Sequence, residues 1–246
     1  MLQLCYQNIL ESATVTLSAG TENSSYPLYR LSDRNIGLMF MPTAAVTLEV
    51  KIDQGISPIA LDRLLVPDGH NLATMTLDIK YSSDDATYTT AVAEWTGLAG
   101  LINKSWSPIT ARFWKFIITS PSIVPQFAEL FLGWTYTWER NPSRPSGMME
   151  PLFNVERRVT ASGQPRYCNF GSPKRQRIYP VTPAGETQKN NYMTFYNLWA
   201  GCMPFWLCDQ DGVWIFGELL TPTNGMTETA VQKYPFEFNF LEVLPT

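Results

Sequence analysis

Alternation of apolar and polar positions organises the first half of the chain. Between residues 43 and 53, Val46, Leu48, Val50 and Ile52 share one face while Thr47, Glu49, Lys51 and Asp53 share the other. That period of two predicts a half-buried strand. The alternation returns at 75–82, where Met75, Leu77, Ile79 and Tyr81 oppose Thr76, Asp78, Lys80 and Ser82. Residues 59–66, behind Pro58, predict another strand, and 88–95, 111–120 and 127–134 predict three more. The run Ser-Ser-Asp-Asp-Ala-Thr at 82–87 is a turn whose side chains can bond their own backbone. Strands at this spacing, separated by turn signals, predict an antiparallel sandwich.

The pattern breaks at 139–147, where two Pro, two Ser and a Gly occur with no apolar residue, the composition of a linker. A first domain at 1–138 and a second at 148–246 are expected on either side. The second opens with strands at 151–159 and 175–181. Residues 187–200 then predict a helix, because Tyr192, Phe195, Tyr196 and Trp199 fall at offsets 0, 3, 4 and 7. Thr187 can cap its start and Gly201 can end it. A hairpin follows, with arms at 204–209 and 213–219 around an Asp-Gln-Asp-Gly turn, and residues 235–244 alternate Phe236, Phe238 and Phe240 outside polar neighbours. An aromatic helix stripe needs a sheet to lie on, and these strands supply one. The expected class is mainly β: an N-terminal antiparallel sandwich and a C-terminal α+β domain with one helix packed on an antiparallel sheet.

Composition narrows the function. The chain has 246 residues, enough for two domains. Charged residues make up 16%, against about 25% in ordinary globular chains. A low-charge exterior suits a protein that spends its life in an assembly. Net charge −4 argues against nucleic acid, since the densest basic cluster is Lys174, Arg175 and Arg177. Cys5, Cys168, Cys202 and Cys208 have no C-x-x-C spacing and are expected to be reduced, in a protein made in the cytosol. The N-terminal stretch has no basic n-region and no long apolar core, so no signal peptide is expected, and no 18-residue apolar window predicts a membrane span.

Candidate chemistry is sparse. His70 is the one histidine, too few for a multi-histidine zinc site. No G-x-S-x-G elbow, G-x-G-x-x-G or phosphate-loop motif occurs. Asp84 with Asp85, and Asp209 with Asp211, sit in turns and do not match the twelve-residue calcium loop. No catalytic residue, metal or cofactor is expected.

Two stretches carry a resemblance. Arg63–Val66, the His70–Asn71 loop, the strand Thr76–Tyr81 and the turn Ser82–Tyr88 resemble the discoidin, or galactose-binding-like, jelly-roll sandwich, including modules of tailed-bacteriophage tail proteins. Gly201, Pro204, Phe205, Asp209 and the closing Leu241-Glu242-Val243 are similar to the last domain of phage distal and minor tail proteins. Together they cover about two-thirds of the chain. The resemblance implies a non-enzymatic tail or baseplate component of a virion, synthesised in the host cytoplasm. It also implies a homo-oligomeric ring, commonly hexameric, contacting other tail proteins. Trp199, Phe205, Trp206 and Trp214 are then the candidate subunit interface. The alternative is a carbohydrate-binding module that stacks exposed aromatics on sugar rings of a host-surface glycan. Trp95, Trp106, Trp114, His70 and Asn71 are its candidate contacts.

Overall fold

Leu48, Val50 and Ile52 are fully buried, while Glu49, Lys51 and Asp53 between them reach outward. The expected alternation is therefore present in the computed structural model, which describes residues 1–119, 121–138, 148–152, 155–159, 165–169, 174–181, 185–197, 203–219 and 236–243. In chain order the strands are β1 (Gln3–Cys5), β2 (Thr14–Ala19), β3 (Leu48–Asp53), β4 (Ala60–Val66), β5 (Thr76–Ser82), β6 (Thr89–Trp95), β7 (Ile102–Thr110), β8 (Phe113–Thr119) and β9 (Phe131–Gly133). They continue as β10 (Tyr136–Thr137), β11 (Met148–Leu152), β12 (Val155–Val159), β13 (Pro165–Asn169) and β14 (Lys174–Val181). After helix α1 (Glu186–Phe195) come β15 (Phe205–Cys208), β16 (Trp214–Leu219) and β17 (Phe236–Glu242).

Residues Gln7–Thr135 form one unit, an antiparallel sandwich. Its five-stranded sheet has the order β2-β3-β8-β5-β6, and its three-stranded sheet the order β7-β4-β9. Inward residues of β3, β5 and β8 pack with Leu61, Leu64, Val66, Ile102 and Leu132 of the smaller sheet. Each such side chain contributes roughly 1.5–3 kcal/mol through burial. A polar hub ties the ends together. Asn8 donates to Glu129 Oε1 (2.8 Å) and to the Leu130 carbonyl (2.9 Å), and its Oδ1 accepts from the amides of Leu10 and Leu132. Arg34 adopts a left-handed backbone (φ 57°). Its amide donates to Glu129 Oε2 at 2.8 Å, and its guanidinium grips Glu11 at 2.6 and 3.1 Å. These bonds offset the cost, about 1–2 kcal/mol, of a non-glycine residue in that conformation.

The other unit joins Met1–Tyr6 to the chain from Tyr136 onward. Its sheet of seven strands has the order β10-β1-β15-β16-β17-β14-β11. Helix α1 lies against it through Phe195, which meets Phe205 edge-on at 5.0 Å, while Phe205 in turn meets Phe240 at 5.3 Å. Tyr192 packs on Trp138 at 5.7 Å. The expected mainly β class, a sandwich plus an α+β unit with one helix on an antiparallel sheet, is observed.

Several boundaries differ from the sequence reading. Residues 1–6 leave the sandwich and enter the second unit, because buried Leu2, Leu4 and Cys5 place β1 between β10 and β15, with Gln3 opposite both Thr137 and Cys208. The stretch 151–159 belongs to two strands: β11 pairs with β14, and β12 pairs, among the described residues, with β13 alone. Strands β2 and β7 were not expected, although Thr14–Ala19 alternates polar and apolar residues without a break, while Pro108 interrupts the pattern of β7. Thr187 does not cap α1, whose N-cap is Gly185 with no side-chain bond. The linker 139–147, Trp199 and Gly201 lie outside the described residues.

Candidate functional site

The smaller sheet of the sandwich carries a well-formed recess. Along β4, Leu61, Leu64 and Val66 face the core. The step of three from Leu61 to Leu64 leaves both Asp62 and Arg63 outside that core, half-buried. The cause lies in the pairing with β7, where Leu61 opposes Ile109 and Arg63 opposes Ser105. Trp106, Ser107 and Pro108 therefore stand against Asp62 alone. This is a bulge in an edge strand, which is where a proline is tolerated within a sheet. Beside it opens a cleft of about 350 Å³, lined by Gln7, Ile59, Ala60, Asp62, Pro108, Trp134 and Thr135. That volume sits at the low end of small-molecule sites, about 300–1,000 Å³.

Hydrogen bonds hold the cleft's side chains. The Trp134 indole N–H donates to Gln7 Oε1 at 2.6 Å. Thr135 Oγ1 donates to Asp62 Oδ1 at 3.0 Å and accepts from Arg63 Nε at 3.0 Å. A Cβ at Gly133 would lie 2.3 Å from the Gln7 carbonyl oxygen and 2.8 Å from the Phe131 ring. Only glycine there lets Gln7 run beside Trp134. Of the seven lining residues, Asp62 is the one carboxylate, and neither a histidine nor a cysteine is among them. An indole, a carboxylate, an amide and a hydroxyl on apolar walls can orient a hydroxylated ligand.

A second, smaller groove of about 160 Å³ runs along the loop between β6 and β7, where Trp95, Asn103 and Lys104 are among its walls. Lys104 Nζ lies 5.1 Å from the Trp95 ring centroid. Asn103 Oδ1 accepts from Arg63 Nη1 at 2.8 Å.

The residues singled out by sequence are divided by the fold. Trp95 reaches the groove. Trp106 is half-buried, tilted against Trp114 with ring centroids 6.0 Å apart, and its N–H donates to the Leu61 carbonyl at 2.9 Å. Trp114 is fully buried and donates to the Ala111 carbonyl, so it belongs to the core and not to a ligand contact. Asn71 spends its side chain on the Val124 carbonyl and the Gln126 amide, and pins that loop. His70 accepts from the Leu72 amide at Nδ1 and so carries its proton on Nε2, donated to the Gly100 carbonyl at 2.8 Å. Burial holds its pKa below the ordinary histidine value. Both residues stitch loops together. Phe205, Trp206 and Trp214 are buried in the second unit's own sheet, a correction to the subunit-interface reading with a simple cause: packing consumes them.

The acidic pairs are turn residues. Asp84 Oδ1 accepts from the amides of Ala86 and Thr87, bonds that lower its pKa to about 2. Asp209 Oδ1 accepts from the amides of Asp211 and Val213 while Oδ2 takes Arg177 Nη1 at 2.7 Å. Among the described residues no group of three or more His, Cys, Asp or Glu could hold a metal. No described helix is long and apolar enough to cross a membrane.

Sequence reasoning missed Trp134, Gln7 and Asp62. The signal available was modest: Trp134 is the last residue of a predicted strand and Thr135 the first beyond it, where side chains at strand ends leave the alternating core.

No protein-family model and no curated protein matches the chain. It is similar to solved structures. A fucosidase from Ruminococcus gnavus in complex with fucose is 20% identical with a TM-score of 0.45, over 53% of this chain and 27% of that one. The chain thus spans little more than a quarter of the fucosidase. The chitosan-binding module 1 of a chitosanase/glucanase from Paenibacillus sp. is 18% identical with a TM-score of 0.43, over 52% of this chain and 98% of that one. A module from Clostridium perfringens in complex with GalNAc-β-1,3-galactose is 11% identical with a TM-score of 0.43, over 50% of this chain and 96% of that one. At these identities and scores the reading of the site rests on its own geometry.

Proposed function

We propose that the sandwich unit is a non-catalytic saccharide-binding module, with the cleft beside β4 as its site. One observation carries the reading: an indole fixed by Gln7 lines the same recess as the Asp62–Thr135 pair. Sugar rings offer an apolar C–H face and a rim of hydroxyls. An aromatic wall meets the first, and a carboxylate with spare acceptor sites meets the second. The carboxylate also favours a neutral sugar over an acidic one.

The test is calorimetric titration with fucose, chitosan oligomers and GalNAc-β-1,3-galactose. Trp134→Ala should weaken binding by at least about tenfold, or about 1.4 kcal/mol, and Trp134→Phe should restore part of it. A melting curve establishes that each variant is folded. Binding unchanged in folded Trp134→Ala would remove the cleft as the site.

A second reading, a structural subunit of a phage tail or baseplate, is favoured by a different observation. Strands β12 and β13 form a two-stranded sheet joined to no other strand described. A hairpin of that size alone is marginal in water, and an assembly would supply it with a neighbour. The two readings are compatible, since a tail subunit can carry a glycan-binding module. The association state tests this one.

A further inference from the structure

The cleft and the groove are joined by one side chain. Thr135 lines the cleft and Asn103 lines the groove, and the two are held by different nitrogens of the Arg63 guanidinium, at 3.0 and 2.8 Å. The planar fork of arginine fixes such a pair of partners in one orientation. The two recesses are therefore adjacent, separated by the width of a single functional group. The cleft lies on the outward side of β4, where the bulge releases Asp62 and Arg63 from the core, and the groove lies at the start of the edge strand β7.

Size decides what the groove can do. At about 160 Å³ it holds about half the volume of the smallest ordinary ligand sites, so it is not a site by itself. As the continuation of a 350 Å³ cleft it is large enough to matter. Its walls repeat the cleft's chemistry: the Trp95 ring steadied by Lys104, beside an exposed amide at Asn103.

We propose that the ligand is a neutral oligosaccharide. One unit sits in the cleft against Trp134, and the chain passes over Arg63 into a second subsite formed by Trp95, Asn103 and Lys104. This rests on the saccharide reading of the cleft. Two subsites bridged by a fixed guanidinium bind a chain more tightly than either binds a single ring, because the second contact becomes intramolecular.

The experiment compares monosaccharides with their tri- and tetrasaccharides, using N-acetylglucosamine and its chitin oligomers, and galactose and its β-linked oligomers. The unmodified chain should bind a tetrasaccharide at least about tenfold more tightly than its monosaccharide. In Asn103→Ala/Lys104→Ala that ratio should fall to about one, and Lys104→Arg, which keeps the cation beside Trp95, should retain it. A ratio near one in the unmodified chain, or one untouched by the double variant, overturns the second subsite and leaves the cleft standing. If no sugar of either series binds, the saccharide reading fails and the subsite with it.

Discussion

Glu129 has no exposed surface and no cation of its own. Its two oxygens accept from Asn8 and from the Arg34 amide, while the Arg34 guanidinium is turned to Glu11. Burial outweighs those two bonds and lifts its pKa to about 8. The folded chain holds the proton up to about that pH, whereas the unfolded chain gives it up near the ordinary carboxyl value of about 4.3. Glu129's contribution is complete below the ordinary value and is lost as pH rises through about 8. His70 acts in the opposite sense, because its lowered pKa takes stability away as pH falls below about 6.5. Between pH 7 and 8 the carboxyl should dominate, with stability falling by up to about 1.4 kcal/mol per pH unit. Denaturant titrations across that interval should show the slope, and Glu129→Gln should flatten it whatever its absolute stability. A slope that persists in the variant assigns the proton elsewhere. None of this was legible in the sequence, where Glu129 sits unremarked between Ala128 and Leu130. The tryptophans teach the same lesson: Trp114 and Trp134 look alike in the chain, and only packing buries one and lines a cleft with the other.

At the scale of elements, period-two patterning located β5 and β8 to within a residue or two and the end of β3, because one face of each is driven into a core, but it began β3 five residues early and counted exposed Val46 on the buried face. It failed where a strand is irregular. The β7 bulge that opens the cleft places three residues against one, and no alternation survives that. The C-terminal hairpin was legible, since Asp209 gathers the turn amides as short polar side chains do in turns. Less legible was the close approach of its second arm to β17. A Cβ at Gly217 would lie 2.2 Å from the Leu241 carbonyl oxygen and 2.7 Å from the Phe240 ring. Backbone cannot yield there as a flexible side chain would, so Gly217→Ala should cost at least about 1–3 kcal/mol. Thermal unfolding checks this, and an unchanged midpoint would mean that β16 and β17 lie further apart. Sugar binding should persist in that variant, since Gly217 lies in the other unit.

For the whole molecule, the low charge of the chain and the solitary β12–β13 pair bear on association. If the tail reading holds, sedimentation at micromolar concentration should give a mass at several multiples of 27.8 kDa, and deleting residues 155–169 should shift it towards the monomer. A monomer before and after deletion leaves the saccharide module alone. The sequence by itself determined the class: alternating strands, turns built by Asp and Ser, and one aromatic helix that must lie on a sheet. These are local consequences of side-chain period and backbone chemistry, and each can be read within ten residues. The tertiary structure alone decided that the first six residues join the second unit's sheet, that Phe205, Trp206 and Trp214 face inward, and that Gln7, Asp62 and Trp134 meet. Those outcomes depend on which distant segments pair and in what register, a matter settled by burial summed over the whole chain.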